Sequence, residues 1–374
     1  MISDPRVYPS PDAASADARA LHELADASLG AETGAVAAAR DAEIAARLDA
    51  ILDAGDGDRL DLLLASAPSA AIHRHLWRAI VTEVERARGE AIAPVLFALP
   101  ILVVAASDDG AEHQLDAVID APEALAAILV EHGALSGNRQ FAFAGALAGA
   151  DAIELRALPG LMRAASSSAP APLDIAPAPI AALAGGERVH LRFLVGSALA
   201  ASVGALCART EVGAWGMPLT RALSRAIGAP GVTVVAMPRA PQSLPAAVAT
   251  GRLVSREAAA TLFASNALRR MRAAAGEPSA TISAHRIAGT RSSGELRVSL
   301  SSPFDERGAE GFRCPLEPLD RVADVADMLA QVLAECRVAD VRILPGVHAD
   351  RDSATGLALL FKAADRVAGE GQAT

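Results

Sequence analysis

The near-continuous apolar run from Val95 to Val104 is the feature that most restricts the fold of this chain. Even with its flanks, from Ala91 to Ala106, the run is about 16 residues long and is interrupted by Pro100. A membrane-spanning helix needs roughly 20 apolar residues, and the apolar run between residues 192 and 209 is similarly short. We therefore predict that residues 95–104 form a β-strand with both faces covered by other elements.

The residues before this strand have the spacing of packed helices. Ile44, Leu48, Ile51 and Leu52 recur at positions i, i+4, i+7 and i+8, which places them on one face of a helix. Short polar segments separate this helix from later ones, an arrangement typical of antiparallel helical hairpins. We predict an N-terminal helical region over residues 1–90.

Strand and helix patterns alternate in the rest of the chain, most clearly near its C-terminal end. The apolar residues of 296–300 alternate with Glu295, Arg297 and Ser299, which predicts a strand with one buried face and one face in contact with water. Residues 281–287, just before it, predict the other strand of an antiparallel hairpin.

A segment rich in Pro, Ala and Ser, residues 166–187, separates two groups of strands and helices and is the predicted linker. The fold class that we predict is α+β, with an N-terminal helical region followed by two mixed α/β sandwich modules. The predicted parts are the helical region 1–90, the first α+β module 91–165, the linker 166–187 and the second α+β module 188–374.

The two modules share an order of elements. In each, a strand is followed by an acidic segment, a helix, a short return strand and the tripeptide Leu-Pro-Gly, which ends at Gly160 in the first module and at Gly346 in the second. The predicted return strands are residues 153–155 and 341–343. An internal duplication would explain this order, and ligand sites are often found between related modules. Chance is the competing explanation, because an alanine-rich chain aligns readily with itself.

Parts of these segments also carry a resemblance to known proteins. The stretch from Val325 to Gly346, which includes VADMLAQVLAE and RILPG, and the run VLFALPILV at residues 95–103 loosely resemble a family of uncharacterised bacterial proteins of unknown function. The resemblance is mainly one of element order: a helical N-terminus, an apolar strand, a late helix and then Leu-Pro-Gly. It implies no activity, cofactor or site residue.

Charge and cysteine content disfavour several classes of protein. The formal net charge of −10 is spread along the chain, and nucleic acids and anionic membranes both require a basic surface. Cys207, Cys314 and Cys336 are too few and too scattered for a disulfide framework or a zinc site. Because the N-terminus has no basic region followed by an apolar run, we predict no secretory signal and a cytoplasmic location.

The segment after the late Leu-Pro-Gly carries the residues best suited to binding a metal. In an extended loop alternate side chains share a side, so His348, Asp350 and Asp352 would present one imidazole and two carboxylates to Zn²⁺, Mn²⁺ or Fe²⁺. The competing interpretation is a solvated acidic loop in which Arg351 pairs with a neighbouring carboxylate. Only the first interpretation predicts a metal site.

Other polar groups have simpler explanations. His73 and His75 are two residues apart on a predicted helix and point away from each other. Asp53, Asp56 and Asp58 lack the order of a calcium loop and suit helix caps better. Two polar segments that follow predicted strands contain several carboxylates, which either serve acid–base chemistry or merely make the loops polar. They are Asp108, Asp109 and Glu112 with His113, and Asp305, Glu306 and Glu310.

Two hypotheses of function follow. The first is a non-enzymatic cytoplasmic binding or assembly protein of adaptor type, which binds a protein partner or a second copy of itself, binds no nucleic acid and needs no cofactor. The second is a metal-assisted hydrolase that uses His348, Asp350 and Asp352. The sequence contains no dinucleotide-binding, P-loop, serine-hydrolase or zincin motif, so we favour the first hypothesis, and whether the protein is an enzyme stays open.

Overall fold

A computed structural model gives the fold of the chain, which is α+β with an N-terminal helical region, as predicted. The chain divides into two compact units. Among the described residues, the N-terminal unit consists of residues 14–67 and 71–252, and the C-terminal unit of residues 2–10, 68–70 and 253–348. The structure describes residues 2–10, 14–86, 94–106, 114–131, 141–166, 173–181, 187–199, 212–227, 231–236, 243–272, 278–286, 294–302 and 305–348.

Four helices form the N-terminal helical region: α1 (Ala16–Leu29), α2 (Gly34–Ala54), α3 (Gly57–Ala65) and α4 (Ala70–Arg86). Capping residues determine where they begin and end. The side chain of Ser15 accepts a hydrogen bond at the start of α1, and that of Asp56 does so at the start of α3. Gly55 ends α2 with a φ of 73°, a left-handed conformation that glycine adopts at little cost.

The predicted apolar strand lies inside the sheet of the N-terminal unit. Its apolar side chains alternate between two hydrophobic clusters, so both faces of the strand are covered, as predicted. The sheet has the order β3-β5-β1-β6 and is antiparallel throughout. The strands of the unit are β1 (Pro94–Ala106), β2 (Gln114–Leu115), β3 (Phe141–Phe143), β4 (Ile180–Ala181), β5 (Glu187–Leu199) and β6 (Val232–Ala236). The helices that follow α4 are α5 (Pro122–Glu131), α6 (Leu158–Ser166), α7 (Val212–Ala226) and α8 (Leu244–Arg272).

The described part of the predicted linker is packed into the N-terminal unit. Leu173 and Ile175 are buried in its core, and β4 pairs with β2. The guanidinium of Arg192 on β5 donates hydrogen bonds to the carbonyl oxygens of Ala178 and Pro179. These contacts hold residues 173–181 against the sheet, so this stretch is not a free connector.

The sheet of the C-terminal unit contains the predicted hairpin. Its strands are β7 (Ser279–Arg286), β8 (Gly294–Ser302), β9 (Asp305–Pro315) and β10 (Asp340–His348), in the order β10-β7-β8-β9. Strands β7 and β8 pair antiparallel, as expected for the hairpin, β9 is antiparallel to β8, and β10 is parallel to β7. The strand β9 was not predicted, because its first residues are polar without alternation.

Two helices cover one face of this sheet, namely the C-terminal half of α8 and α9 (Val322–Glu335). Leu268 of α8 and Leu329 of α9 share a hydrophobic cluster with Val298 and Phe312 of the sheet. Helix α8 begins at Leu244, well before this sheet-covering half, and Ser255 is buried within it.

The division into units differs from the predicted one. Strands β1 and β5, which fall in the two predicted modules, pair along the whole length of both strands. They therefore belong to one sheet and share its two hydrophobic clusters. The boundary lies instead between Arg252 and Leu253, inside α8.

The structure also separates the two segments on which the duplication hypothesis rested. Residues 151–153 form a short 3-10 helix and Leu158-Pro-Gly160 opens α6, where a return strand was predicted. In the C-terminal unit Leu344-Pro-Gly346 lies within β10. The matching sequences thus adopt different structures, which contradicts the duplication and shows that the predicted strand at residues 153–155 is wrong.

Candidate functional site

The two faces of the C-terminal sheet differ in their chemistry, because successive side chains of a strand point to opposite faces. Ile282 and Val298 are cross-strand partners on the apolar face, beneath the helices. The other face, which we call the polar face, carries ionisable side chains from all four strands. Its cross-strand partners are His348 with His285, His285 with Glu295, Ser283 with Arg297, and Arg297 with Arg313.

An ion pair on β8 dominates the polar face. Arg297 Nε lies 2.6 Å from Glu295 Oε1, and both side chains are almost fully buried. Arg313 on β9 places its Nε 3.9 Å from the same oxygen. The expectation that Glu295 and Arg297 face water is therefore wrong, although the alternation itself is correct. A charge is buried at this depth only when a partner compensates for its lost hydration.

Ser283 and His285 on β7 form a second pair, with Ser283 Oγ 2.8 Å from His285 Nε2. This distance suits a nucleophile and its general base. However, Ser283 is 0% exposed and His285 is 1% exposed, so a substrate has no access to the hydroxyl in this conformation. The pair therefore acts in this structure as a buried hydrogen bond within the sheet.

His348 is the one predicted metal ligand that the structure describes. Its Nε2 lies 2.7 Å from the carbonyl oxygen of Pro345, and its ring centroid lies 6.3 Å from that of His285. Asp350 and Asp352 lie outside the described residues. Within the described ranges no group of three His, Cys, Asp or Glu side chains is arranged to hold a metal ion. The metal site and the hydrolase hypothesis thus stay predictions from the sequence.

A second group of buried charges joins the N-terminal segment to the region after β9. Asp320 Oδ2 accepts a hydrogen bond from Arg256 of α8 at 2.9 Å, and the carbonyl oxygen of Asp320 accepts one from Arg6 at 2.8 Å. Arg6 also forms a salt bridge with Asp4. Desolvation lowers the pKa of Arg6, but the hydrogen bond to Asp4 and the nearby charges of Tyr8, Asp4 and Asp320 together outweigh it, so the pKa is raised. These contacts fasten residues 4–6 to the C-terminal unit.

The thiol of Cys314 is enclosed on the apolar face of β9. Burial raises the pKa of Cys314 to about 12, against the opposing influence of Arg256. Because the thiolate is the reactive form of cysteine, Cys314 is an inert packing residue at neutral pH.

The remaining predicted candidates have structural roles or lie outside the described residues. His73 is buried in α4, while His75 pairs with Asp41 at 3.0 Å. Glu310 forms a salt bridge with Arg270. Asp305 and Glu306 are in β9 rather than in a loop, and Asp108, Asp109, Glu112 and His113 are outside the described residues.

The edge of the C-terminal sheet is its most exposed apolar feature. Strand β10 is the terminal strand of the described sheet, and Ile343 and Val347 on it are 38% and 41% exposed. A bulge lies between these two residues, and Gly346 within it forms an isolated parallel bridge with Ile2. The backbone from Asp340 to Ile343 thus makes a short regular edge next to the bulge.

Comparisons with known proteins identify no relative. No protein-family model matches the chain, and no curated protein or solved structure is significantly similar to it. None of the helices in the described ranges combines the length and the apolar character that a membrane crossing requires.

The polar face is not apparent as a group from the sequence alone. The signal was available in part, because Ser283, His285, Glu295 and Arg297 occupy alternate positions on two strands that were predicted to pair. A hairpin brings such positions together on one face. The burial of these four side chains could not be predicted, because an alternating pattern does not indicate which residues pack over the polar face of a strand.

Proposed function

We propose that this protein is a non-enzymatic binding or assembly protein of the cytoplasm, and that the edge strand β10 is its contact surface. The observation that carries the proposal is the exposure of Ile343 and Val347 on a terminal strand. An edge strand has backbone groups that can pair with a further strand, and exposed apolar side chains add to the affinity of such pairing.

The state of the chemically capable side chains supports this proposal. Ser283, His285 and Glu295 are buried, and Glu295 is engaged by Arg297. Cys314 is protonated at neutral pH. A catalytic group must reach a substrate and hold the correct protonation state, and these four side chains suit the packing of a sheet better than catalysis.

Two further properties support the proposed location and partner class. Cys314 is a buried cysteine that forms no disulfide, as is usual in a reducing compartment. The net charge of −10 makes a protein surface a better partner than a nucleic acid, whose phosphates repel an acidic protein.

The proposal is tested by capturing partners of the full chain from its native cell and quantifying them by mass spectrometry. The test variant is Ile343→Lys, because a lysine on an edge strand opposes pairing. The matched control is Leu62→Lys on α3, where an exposed apolar residue (50%) is changed in the same way. We expect proteins that are enriched by the wild type and by Leu62→Lys to be lost with Ile343→Lys. Equal capture by all three, or no enrichment by the wild type, would contradict the proposal.

A further inference from the structure

Strand β10 carries a self-complementary pattern of charge. Asp340 and Arg342 are exposed and are the cross-strand partners of Ser279 and Thr281, so they lie on the same face of the sheet. Within the described part of the chain, neither side chain forms an ion pair. Their two charges are therefore available to a partner that approaches the edge.

We infer that two copies of this chain associate through the edges of their β10 strands, which run antiparallel about a twofold axis at Val341. The inference rests on the proposed function and names the partner as a second copy of the chain. A twofold axis brings the same surface of both copies together. With Val341 on the axis, Asp340 of each copy is directly opposite Arg342 of the other.

Charge selects this register over its neighbours. Moving the axis to Asp340 places two carboxylates opposite each other, and moving it to Arg342 does the same with two guanidinium groups. Opposite charges in directly facing cross-strand positions are stabilising, and like charges are destabilising. Only the register centred on Val341 gives two attractive pairs, and it also brings the two Val341 side chains together on the apolar side of the sheet.

The length of the regular edge limits the strength of the association. The bulge after Ile343 and the bridge between Ile2 and Gly346 confine the pairing to about Asp340–Ile343. A stable interface buries roughly 800 Å² of each partner, which is more than so short a strand supplies by itself. We therefore expect a dimer that forms and dissociates with concentration and that weakens as salt screens the two charge pairs.

The test is sedimentation of the full chain over a wide range of concentration, with charge-reversal variants. Asp340→Arg or Arg342→Asp alone turns both attractive pairs into repulsive ones and is expected to weaken self-association by roughly tenfold or more. The double variant D340R/R342D restores opposite charges across the axis and is expected to recover the association of the wild type. Asp53→Arg, an equal change of charge at an exposed position of α2, is the control and should have no effect.

Hydrogen exchange measured at low and high protein concentration locates the contact, and it also shows that each variant is folded. We expect the amides of residues 340–343 to gain protection with concentration in the wild type, in the double variant and in the Asp53→Arg control, but in neither single reversal. A wild type that stays monomeric, or single reversals that associate as strongly as the wild type, would overturn the inference. Such a result would leave the proposed function standing if Ile343→Lys still abolished the capture of other proteins.

Discussion

Replacing Arg297 with methionine removes the cation from the buried ion pair of β8 and keeps a side chain of similar length. In the wild type Arg297 Nε and Glu295 Oε1 are 2.6 Å apart, and the side chains are 8% and 4% exposed. Loss of the arginine leaves a carboxylate with little access to water. An uncompensated buried charge of this kind costs about 3–5 kcal/mol.

Arg313 offsets a part of this cost, since its Nε lies 3.9 Å from the same oxygen of Glu295. We therefore expect Arg297→Met to lower the local free energy of unfolding by about 2–4 kcal/mol. The double variant Glu295→Leu/Arg297→Met removes both charges, and we expect it to be within about 1 kcal/mol of the wild type, because apolar replacements of buried pairs are often neutral or stabilising.

Native-state hydrogen exchange of the β8 amides measures this local free energy directly. The matched control is Arg47→Met on α2, where Arg47 pairs with Glu43 at 2.7 Å but both side chains are 44% exposed. An exposed pair of this geometry contributes less than about 1 kcal/mol. If Arg297→Met costs no more than Arg47→Met, or if the double variant is as unstable as the single one, the buried pair does not have the role that we assign to it.

Three further predictions concern single residues. Burial, with Arg192 and Arg188 nearby, lowers the pKa of His190 from 6.5 to about 4, so the unfolded chain binds this proton at a higher pH than the folded chain does and stability should fall as the pH drops from 6.5 to 4. In urea unfolding, His190→Leu should flatten this dependence of stability on pH, and an unchanged slope would refute the burial of a neutral imidazole. Iodoacetamide should label Cys314 in the native protein far more slowly than the half-buried Cys336, as measured by peptide mass spectrometry, and similar rates would contradict the closed environment of Cys314. The metal content of the purified protein should be the same for the wild type and His348→Ala, and a stoichiometric metal lost in the variant would revive the hydrolase hypothesis.

Local sequence patterns correctly predicted those elements that depend on residues close together in the sequence. The hairpin of β7 and β8 followed from alternation at residues 281–300, because a period of two determines which side chains share a face. The strand β1 followed from a near-continuous apolar run, and Asp56 was correctly interpreted as a helix cap. Each of these depends on chemistry within a few residues.

Features that depend on distant parts of the chain could not be predicted in this way. Strands β1 and β5 pair with each other although the predicted linker lies between them in the sequence. Nothing in the composition of residues 166–187 indicates that Arg192 donates a hydrogen bond to this segment. The burial of Glu295 and Arg297 likewise depends on what packs over the polar face. For the candidate site, sequence supplied the residues on each strand, while their enclosure and their ion pairs came only from the fold.

The contacts of Arg6 have a consequence for the order of events during synthesis. Its hydrogen bond to the carbonyl oxygen of Asp320 joins residues 314 positions apart, and at 5–20 residues per second a ribosome needs roughly 15 to 60 s to make the intervening chain. Almost all of the N-terminal unit is translated within this interval. The segment that carries Arg6 must therefore wait, undocked, until the C-terminal unit emerges, and proteolysis or modification of the nascent chain during this delay would weaken the unit that is made last.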